Sequence, residues 1–205
     1  MAAVPLGALW PPLPGPLGLV SSSPRRAALL RAIGVPFRVI RPREGAEGAG
    51  AGPPEEIVLL HAEAKARSAG GDGTEAVLLA ADTVVVREGR TLGKPGSEVE
   101  AGEMLRFLSG GPHDVITGVY ALDRRSGRAS RGIESTRVVF RSLSAEEIDS
   151  YVATGEPADK AGAYGVQGIG GLLVARIEGC YFNVVGLPLV RAAAVLRELL
   201  EGGEA

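Results

Sequence analysis

Ala76-Val-Leu-Leu-Ala-Ala-Asp-Thr-Val-Val-Val86 is the stretch on which the fold turns. Apolar except for Asp82 and Thr83, it predicts a central strand covered on both faces. An unpaired ionised carboxylate in such a strand is costly enough to demand a cation or hydrogen-bond donors, so Asp82 marks a site as well as a strand.

Upstream, Leu17-Gly-Leu-Val20 predicts a short strand that runs straight into Ser21-Ser-Ser-Pro-Arg-Arg26. Ser23 stands as N-cap, Pro24 at the first helical position and Gly34 beyond the end, which together punctuate a helix. Free amides, hydroxyls and two guanidiniums at such a turn suit phosphate. Cations at a helix N-terminus oppose the macrodipole, and an anionic ligand explains Arg25 and Arg26 better than solvation does. Val35 to Ile40 predicts a second strand, and Arg41 to Pro53 an Ala/Gly-rich loop. A helix then runs from Pro53 to about Ser68 with Val58, His61 and Lys65 on one face. Lys65 could reach a site from there, although a solvated lysine is the default at a helix end.

Downstream, Gly93-Lys-Pro95 reads on spacing alone as an exposed turn. Ser97 with Glu100 makes a capping box for a helix that buries Met104, Leu105 and Leu108. His113 to Asp123 and Ile133 to Phe140 predict an antiparallel pair around Arg124-Arg-Ser-Gly127. Ser144 with Glu147 makes a second capping box, and Gly155 ends the helix it opens. The segment from Gly155 to Gly171 sets glycines around Asp159, Lys160, Tyr164 and Gln167. Linkers seldom hold such residues, so the segment predicts a binding loop with backbone in close approach to something. Leu172 to Ile177 predicts a strand and Tyr181 to Gly186 a further extended segment. Pro188 opens a last helix to about Leu200.

Helices alternate with strands and one or two hairpins, which gives an α/β class with a mixed sheet. We expect residues 17–200 to form one domain, residues 1–16 a disordered leader and residues 201–205 a frayed tail. The leader lacks the basic head of a secretory signal, and its prolines break up a membrane helix. The chain has 205 residues, a net charge of −2 and 45% hydrophobic residues, which gives no reason to expect nucleic-acid binding. Its one cysteine, Cys180, rules out an intramolecular disulfide and favours a reducing, cytoplasmic setting. With only His61 and His113 present, a zinc cluster of His and Cys is not expected, and any metal would be a hard cation held by oxygens.

Ser21, Arg25, Arg26, Lys65, Asp82, Thr83, Lys94, Asp159, Lys160 and Gln167 are the polar residues that punctuate apolar or glycine-rich places. Basic groups around one or two carboxylates are the parts of a phosphoanhydride hydrolase. No Gly-rich loop ends in Gly-Lys-Ser or Gly-Lys-Thr, and no Gly-x-Ser-x-Gly occurs, so neither a Walker-type ATPase nor a serine α/β-hydrolase is expected.

Seven stretches in order resemble the Maf family of nucleoside triphosphate pyrophosphatases. They are Ser21-Ser-Ser-Pro-Arg-Arg26, Ala64-Lys-Ala66, Ala81-Asp-Thr-Val84, Gly93-Lys-Pro95, Leu108-Ser-Gly110, Asp159 to Gly168, and Asn183-Val-Val-Gly-Leu-Pro188. The resemblance implies a mixed twisted sheet flanked by helices, two-lobed with a central cleft and like that of inosine triphosphatases, often as a homodimer. It also implies hydrolysis of a nucleoside triphosphate to the monophosphate and pyrophosphate, with magnesium or manganese. By resemblance Asp82 is the proton acceptor, Arg26, Thr83 and Gln167 set substrate specificity, and Ser21, Arg25, Lys65 and Lys94 hold phosphate. Asp159 and Lys160 are expected to belong to an additional site loop.

Arg25-Arg26, Asp82-Thr83 and Val166-Gln-Gly168 resemble the branch acting on dTTP and UTP rather than the one acting on 7-methyl-GTP. A neutral amide at Gln167 can both donate to and accept from a uracil or thymine edge. A 7-methyl-GTP pyrophosphatase and a nucleotide-binding regulator of septum formation remain the alternatives. The chain departs from the family at His61, read as a tolerated change, and at Glu44 and Glu47, either of which could be the acidic residue expected after the second strand.

Overall fold

The structure is a computed structural model that describes residues 6–45, 52–70 and 74–202. Its strands and helices follow in the order β1 Leu17–Val20, α1 Pro24–Ala32, β2 Phe37–Ile40, α2 Pro54–Ser68, β3 Val77–Arg87, β4 Arg90–Leu92 and α3 Glu98–Leu108. The second half adds β5 Pro112–Asp123, β6 Ala129–Phe140, α4 Ala145–Val152, β7 Val174–Glu178, α5 Tyr181–Val185 and α6 Leu189–Glu201. Seven strands make one mixed sheet in the order β2-β1-β3-β5-β6-β7, with β4 paired to β3. β1 runs parallel to both β2 and β3, whereas β4 is antiparallel to β3 and β7 to β6.

The chain divides into two compact units. The first comprises Met1–Asp82, Thr117–Glu134 and Gly186–Ala205; the second comprises Thr83–Ile116 and Ser135–Val185. In the first unit β1 and β3 are covered by side chains from α2, and Val20, Ala62, Ala66, Leu78, Ala80, Tyr120 and Leu122 cluster there. Gly118 lets that helix sit close to the sheet, because a Cβ at this position would lie 2.6 Å from the Val58 backbone. In the second unit α3 buries Met104, Leu105 and Leu108 against Val85, Val138, Phe140 and Tyr164.

The predicted caps are met in part. Ser144 and Glu147 form the full reciprocal capping box at α4. At α3 the Ser97 hydroxyl accepts from the Glu100 N–H, but the Glu100 carboxylate accepts from Gly96 instead of closing the box on Ser97. β5 and β6 are neighbours in the sheet, and Asp123 ties the turn between them with bonds to Arg125 and Ser126.

Two segments differ from the sequence reading. Tyr181–Val185, expected to be extended, is the short helix α5. Thr136 and Asn183 explain the difference. The Thr136 Oγ1 accepts from Cys180 N–H at 3.1 Å and from the Asn183 side-chain amide at 3.0 Å, while that amide also donates to the Val115 carbonyl at 2.9 Å. These bonds fix the segment's entry from outside it, which overrides the β-branched and aromatic composition of Tyr181–Val185. The second difference is that Ile169–Leu173 is a 3₁₀ turn, and β7 begins only at Val174.

Within the stretch read as a leader, Gly7–Leu9 form a 3₁₀ turn, Trp10 is buried, and the Ala8 carbonyl accepts from Arg197. Residues 1–5 lie outside the described residues, as do residues 203–205 of the expected tail.

Candidate active site

Parallel pairing decides where the polar groups of the first unit meet. Val20, the last residue of β1, is in register with Ala80 of β3, so Ser21 just past the end of β1 and Asp82 midway along β3 come to nearly the same level of the sheet. α2 supplies the partners. His61 and Lys65 lie four residues apart on one helical face, and both reach Asp82. The Lys65 Nζ donates to Asp82 Oδ1 at 2.5 Å, and His61 Nδ1 lies 3.0 Å from Oδ2. An ionised carboxylate only accepts, so His61 carries its proton on Nδ1.

Asp82 and Lys65 are both buried. Burial alone would raise the Asp82 pKa. The Lys65 charge and hydrogen bond, with smaller effects from Arg26 and His61, outweigh it and hold the carboxyl below the ordinary aspartate value. Asp82 therefore stays ionised at neutral pH. Its two oxygens carry about four lone-pair sites, and Lys65 and His61 use two of them, so acceptor capacity remains.

Arg26 is buried, not a solvated first-turn residue. Its Nε donates to the Gly186 carbonyl at 2.7 Å and its Nη1 lies 3.5 Å from Ser21 Oγ. Ser21 Oγ also accepts from the Ser23 N–H at 3.1 Å, so this hydroxyl organises the entry to α1, whereas the Ser23 side chain makes no cap bond. Arg25 beside it is half-buried. A cavity of about 600 Å³ opens from this turn, lined among others by Ser21, Ser23, Arg41, Arg43 and Glu44. Glu44 thus faces the cavity, while Glu47 lies outside the described residues.

The remaining sequence-derived residues belong to the second unit. Thr83, half-buried, follows Asp82 directly on β3. Lys94 is exposed, and the carbonyl of its neighbour Gly93 accepts from Gly162, which ties that turn to the glycine-rich segment. Lys160 Nζ donates to Asp159 Oδ1 at 2.7 Å and to the Glu156 carbonyl at 2.6 Å. Gln167 is exposed on the same segment.

Two residues take part beyond those expected. His61, expected to be a tolerated change, bonds to Asp82, and its place four residues before Lys65 is the signal that the sequence offers. Glu156, inside the glycine-rich segment, carries a carboxylate that accepts from two amides of that segment and from the Tyr151 hydroxyl of α4.

Among the described residues no three His, Cys, Asp or Glu side chains gather to hold a metal ion. Asp82 already accepts from Lys65 on one oxygen and from His61 on the other, so by itself it offers a cation only its remaining lone pairs. Among those residues, too, no helix is long and apolar enough to cross a membrane.

These features define the class first: an α/β protein with a buried Asp–Lys pair on a central strand, level with the end of the parallel strand beside it. The family is specific. Residues 16–199 match the family model described as Maf-like protein, and the chain belongs to that family. It is similar to the dTTP/UTP pyrophosphatase of Moorella thermoacetica, with 51% identity over 180 residues covering 88% of this chain and 93% of the relative. It is also similar to the dTTP/UTP pyrophosphatase of Carboxydothermus hydrogenoformans, at 49% identity over 88% of this chain and 96% of the relative. That of Dictyoglomus thermophilum is 45% identical, over 88% and 94% respectively.

Proposed function

We infer that this protein is a nucleoside triphosphate pyrophosphatase, a hydrolase that converts dTTP and UTP to the monophosphate and pyrophosphate. The observation that carries the reading is the Asp82 carboxylate, held ionised by Lys65 within a chain close to half identical to dTTP/UTP pyrophosphatases. In this reading Asp82 accepts a hydrogen bond from the attacking water and takes its proton as the water adds in line to the α phosphorus. The bond between that phosphorus and the bridging oxygen breaks, and pyrophosphate leaves. The low proton affinity of Asp82 makes it an acceptor that orients water in the ground state and gains a proton only as the bond forms.

Ser21, Arg25, Lys65 and Lys94 are the groups we assign to the phosphates, where cations offset the charge that grows on the leaving group. Arg26, Thr83 and Gln167 are assigned to the choice of base, and Asp159 and Lys160 to the support of the segment that carries Gln167. A divalent cation, magnesium or manganese, belongs to this reading as a companion of the triphosphate, which supplies oxygens of its own. The described side chains do not form a cage for it, and no step is drawn through it. A homodimer and a cytoplasmic setting belong to the same proposal.

Pyrophosphate release from a panel of dTTP, UTP, dCTP, dGTP, 7-methyl-GTP and ITP tests it. Turnover of dTTP and UTP well above the others is the expected result. A preference for 7-methyl-GTP would move the protein to the other branch, and no turnover with magnesium, manganese or cobalt would make it a nucleotide-binding regulator.

A further inference from the structure

Glycines 165, 168 and 170 surround Gln167, and at each the place of a Cβ is taken by a neighbour inside the chain itself. A Cβ at Gly165 would lie 2.5 Å from Lys160 Cε, one at Gly168 would collide with the Glu156 carboxylate, and one at Gly170 would lie 2.5 Å from the Tyr151 hydroxyl. The close approach implied by so many glycines is therefore met by Glu156, Tyr151 and Lys160. Those groups make directed bonds. Glu156 Oε2 accepts the Ile169 N–H at 2.9 Å, and Oε1 accepts the Gly170 N–H at 3.1 Å together with the Tyr151 hydroxyl at 2.9 Å. The Tyr151 oxygen in turn accepts the Gly165 N–H at 3.1 Å.

The backbone is thus tied at Gly165 on one side of Gln167 and at Ile169 and Gly170 on the other. Gln167 itself is exposed between the ties. The anchor is stiff at its base. Tyr151 is buried in the core of the second unit with Met104, Leu105 and Leu108, and the Glu156 carbonyl accepts from Lys160. Burial opposes the charge on Glu156, but the Gly170 and Ile169 amides, the Tyr151 hydroxyl and Lys160 hold its carboxyl below the ordinary glutamate value. It therefore remains a charged acceptor of two amides, which makes stronger bonds than a neutral group would.

We propose that Glu156 and Tyr151 are positioning residues for base selection: they fix the 165–170 turn so that Gln167 presents its amide in one orientation to the pyrimidine edge. This rests on the reading of Gln167 as a residue that chooses the base. An exposed amide on an untied glycine-rich turn would sample many orientations and discriminate poorly, since specificity of this kind depends on leaving the wrong base's polar groups unpaired.

The test measures kcat and KM for dTTP and dCTP on the full chain and its variants Gln167→Ala, Glu156→Ala, Glu156→Gln and Tyr151→Phe. Glu156→Ala is expected to lower the dTTP-over-dCTP ratio of kcat/KM by about tenfold or more, as for loss of bonds to a charged acceptor. The loss should fall mainly on KM for dTTP. Glu156→Gln, which keeps one acceptor oxygen, should recover part of it, a graded response that a purely structural role would not give. Combined with Gln167→Ala, neither Glu156 variant should lower the ratio further, because the two act through one contact.

If Glu156→Ala does not fold, Tyr151→Phe decides, since it keeps the ring in the core and removes only the hydroxyl. A ratio unchanged in Tyr151→Phe and Glu156→Gln, while Gln167→Ala lowers it, overturns the clamp and leaves the Gln167 reading standing. A ratio unchanged in Gln167→Ala itself overturns that reading and the clamp with it.

Discussion

Asp82 and Glu156 are two carboxylates used in opposite ways, one in each compact unit. Asp82 is gripped by side chains: a lysine on one oxygen and a histidine on the other, both delivered by a helix. Glu156 does the gripping, and most of what it holds is backbone. Both have pKa values below the ordinary range against the pull of burial, but the causes differ: mainly a full positive charge in the first case and amide dipoles in the second. The difference teaches what each is suited to. A carboxylate poised by a cation keeps spare lone pairs and a fixed charge for chemistry, whereas one saturated by amides is spent on geometry.

Asp82→Asn keeps shape and two polar atoms but cannot take a proton, and kcat for dTTP should fall by about 10²–10⁴-fold with an unchanged circular dichroism spectrum. Turnover within twofold of the parent would remove Asp82 from the chemistry.

Next in size is Lys65→Met, which leaves Asp82 buried without its cation. Breaking a buried pair costs about 3–5 kcal/mol, read as a lower midpoint in urea unfolding at pH 7. The pH dependence fixes the sign. Because the folded pKa of Asp82 lies below its unfolded value of 3.8, the pair's contribution is whole above that value and is lost as pH falls through the lowered one. In Lys65→Met burial acts on Asp82 without the cation and raises its pKa, so the destabilisation should start to shrink above pH 3.8, as the variant's carboxyl protonates, and shrink further as pH falls through the parent's lowered value.

A third test separates both carboxylates from another titrating group. His113 is buried beside Phe140 and Tyr164, and burial first, then the nearby Arg87 charge, lowers its pKa from 6.5 to about 4. The unfolded chain binds the proton first, so stability should fall as pH drops from 6.5 towards 4, by up to about 3 kcal/mol. His113→Phe should flatten that part of the profile and leave the loss below pH 4, where the carboxylates protonate. A slope that persists in the variant would assign it elsewhere.

The smallest effect sharpens the Asp82 half. His61→Leu removes one of two bonds to the ionised carboxylate while Lys65 stays, and should cost about 1.5–3 kcal/mol of stability with a loss of turnover of tenfold or less. A loss as large as that of Asp82→Asn would make His61 a reacting group and not a support.

Much of this was legible in the chain because the signals are local. The apolar run around Asp82, the Pro24 helix start and the Ser144/Glu147 box each depend on residues within a few positions, and all three are found. The misreading at Tyr181–Val185 has the opposite character. What makes it helical is Thr136 and the Val115 carbonyl, distant in sequence and invisible to any local rule. His61 went unrecognised for a related reason, since a helix face can be read from spacing but what it faces cannot.

By itself the sequence determined the α/β class and the family, because hydrophobic period and motif order are properties of neighbours along the chain. Only the tertiary structure decided what those residues do to one another. It put Lys65 and His61 on separate oxygens of Asp82, turned Arg26 inward to Gly186, and showed that the glycines near Gln167 make room for Glu156 and Tyr151. The physical reason is that charge pairing and close approach are set by distance in space, which strand register and helix packing fix.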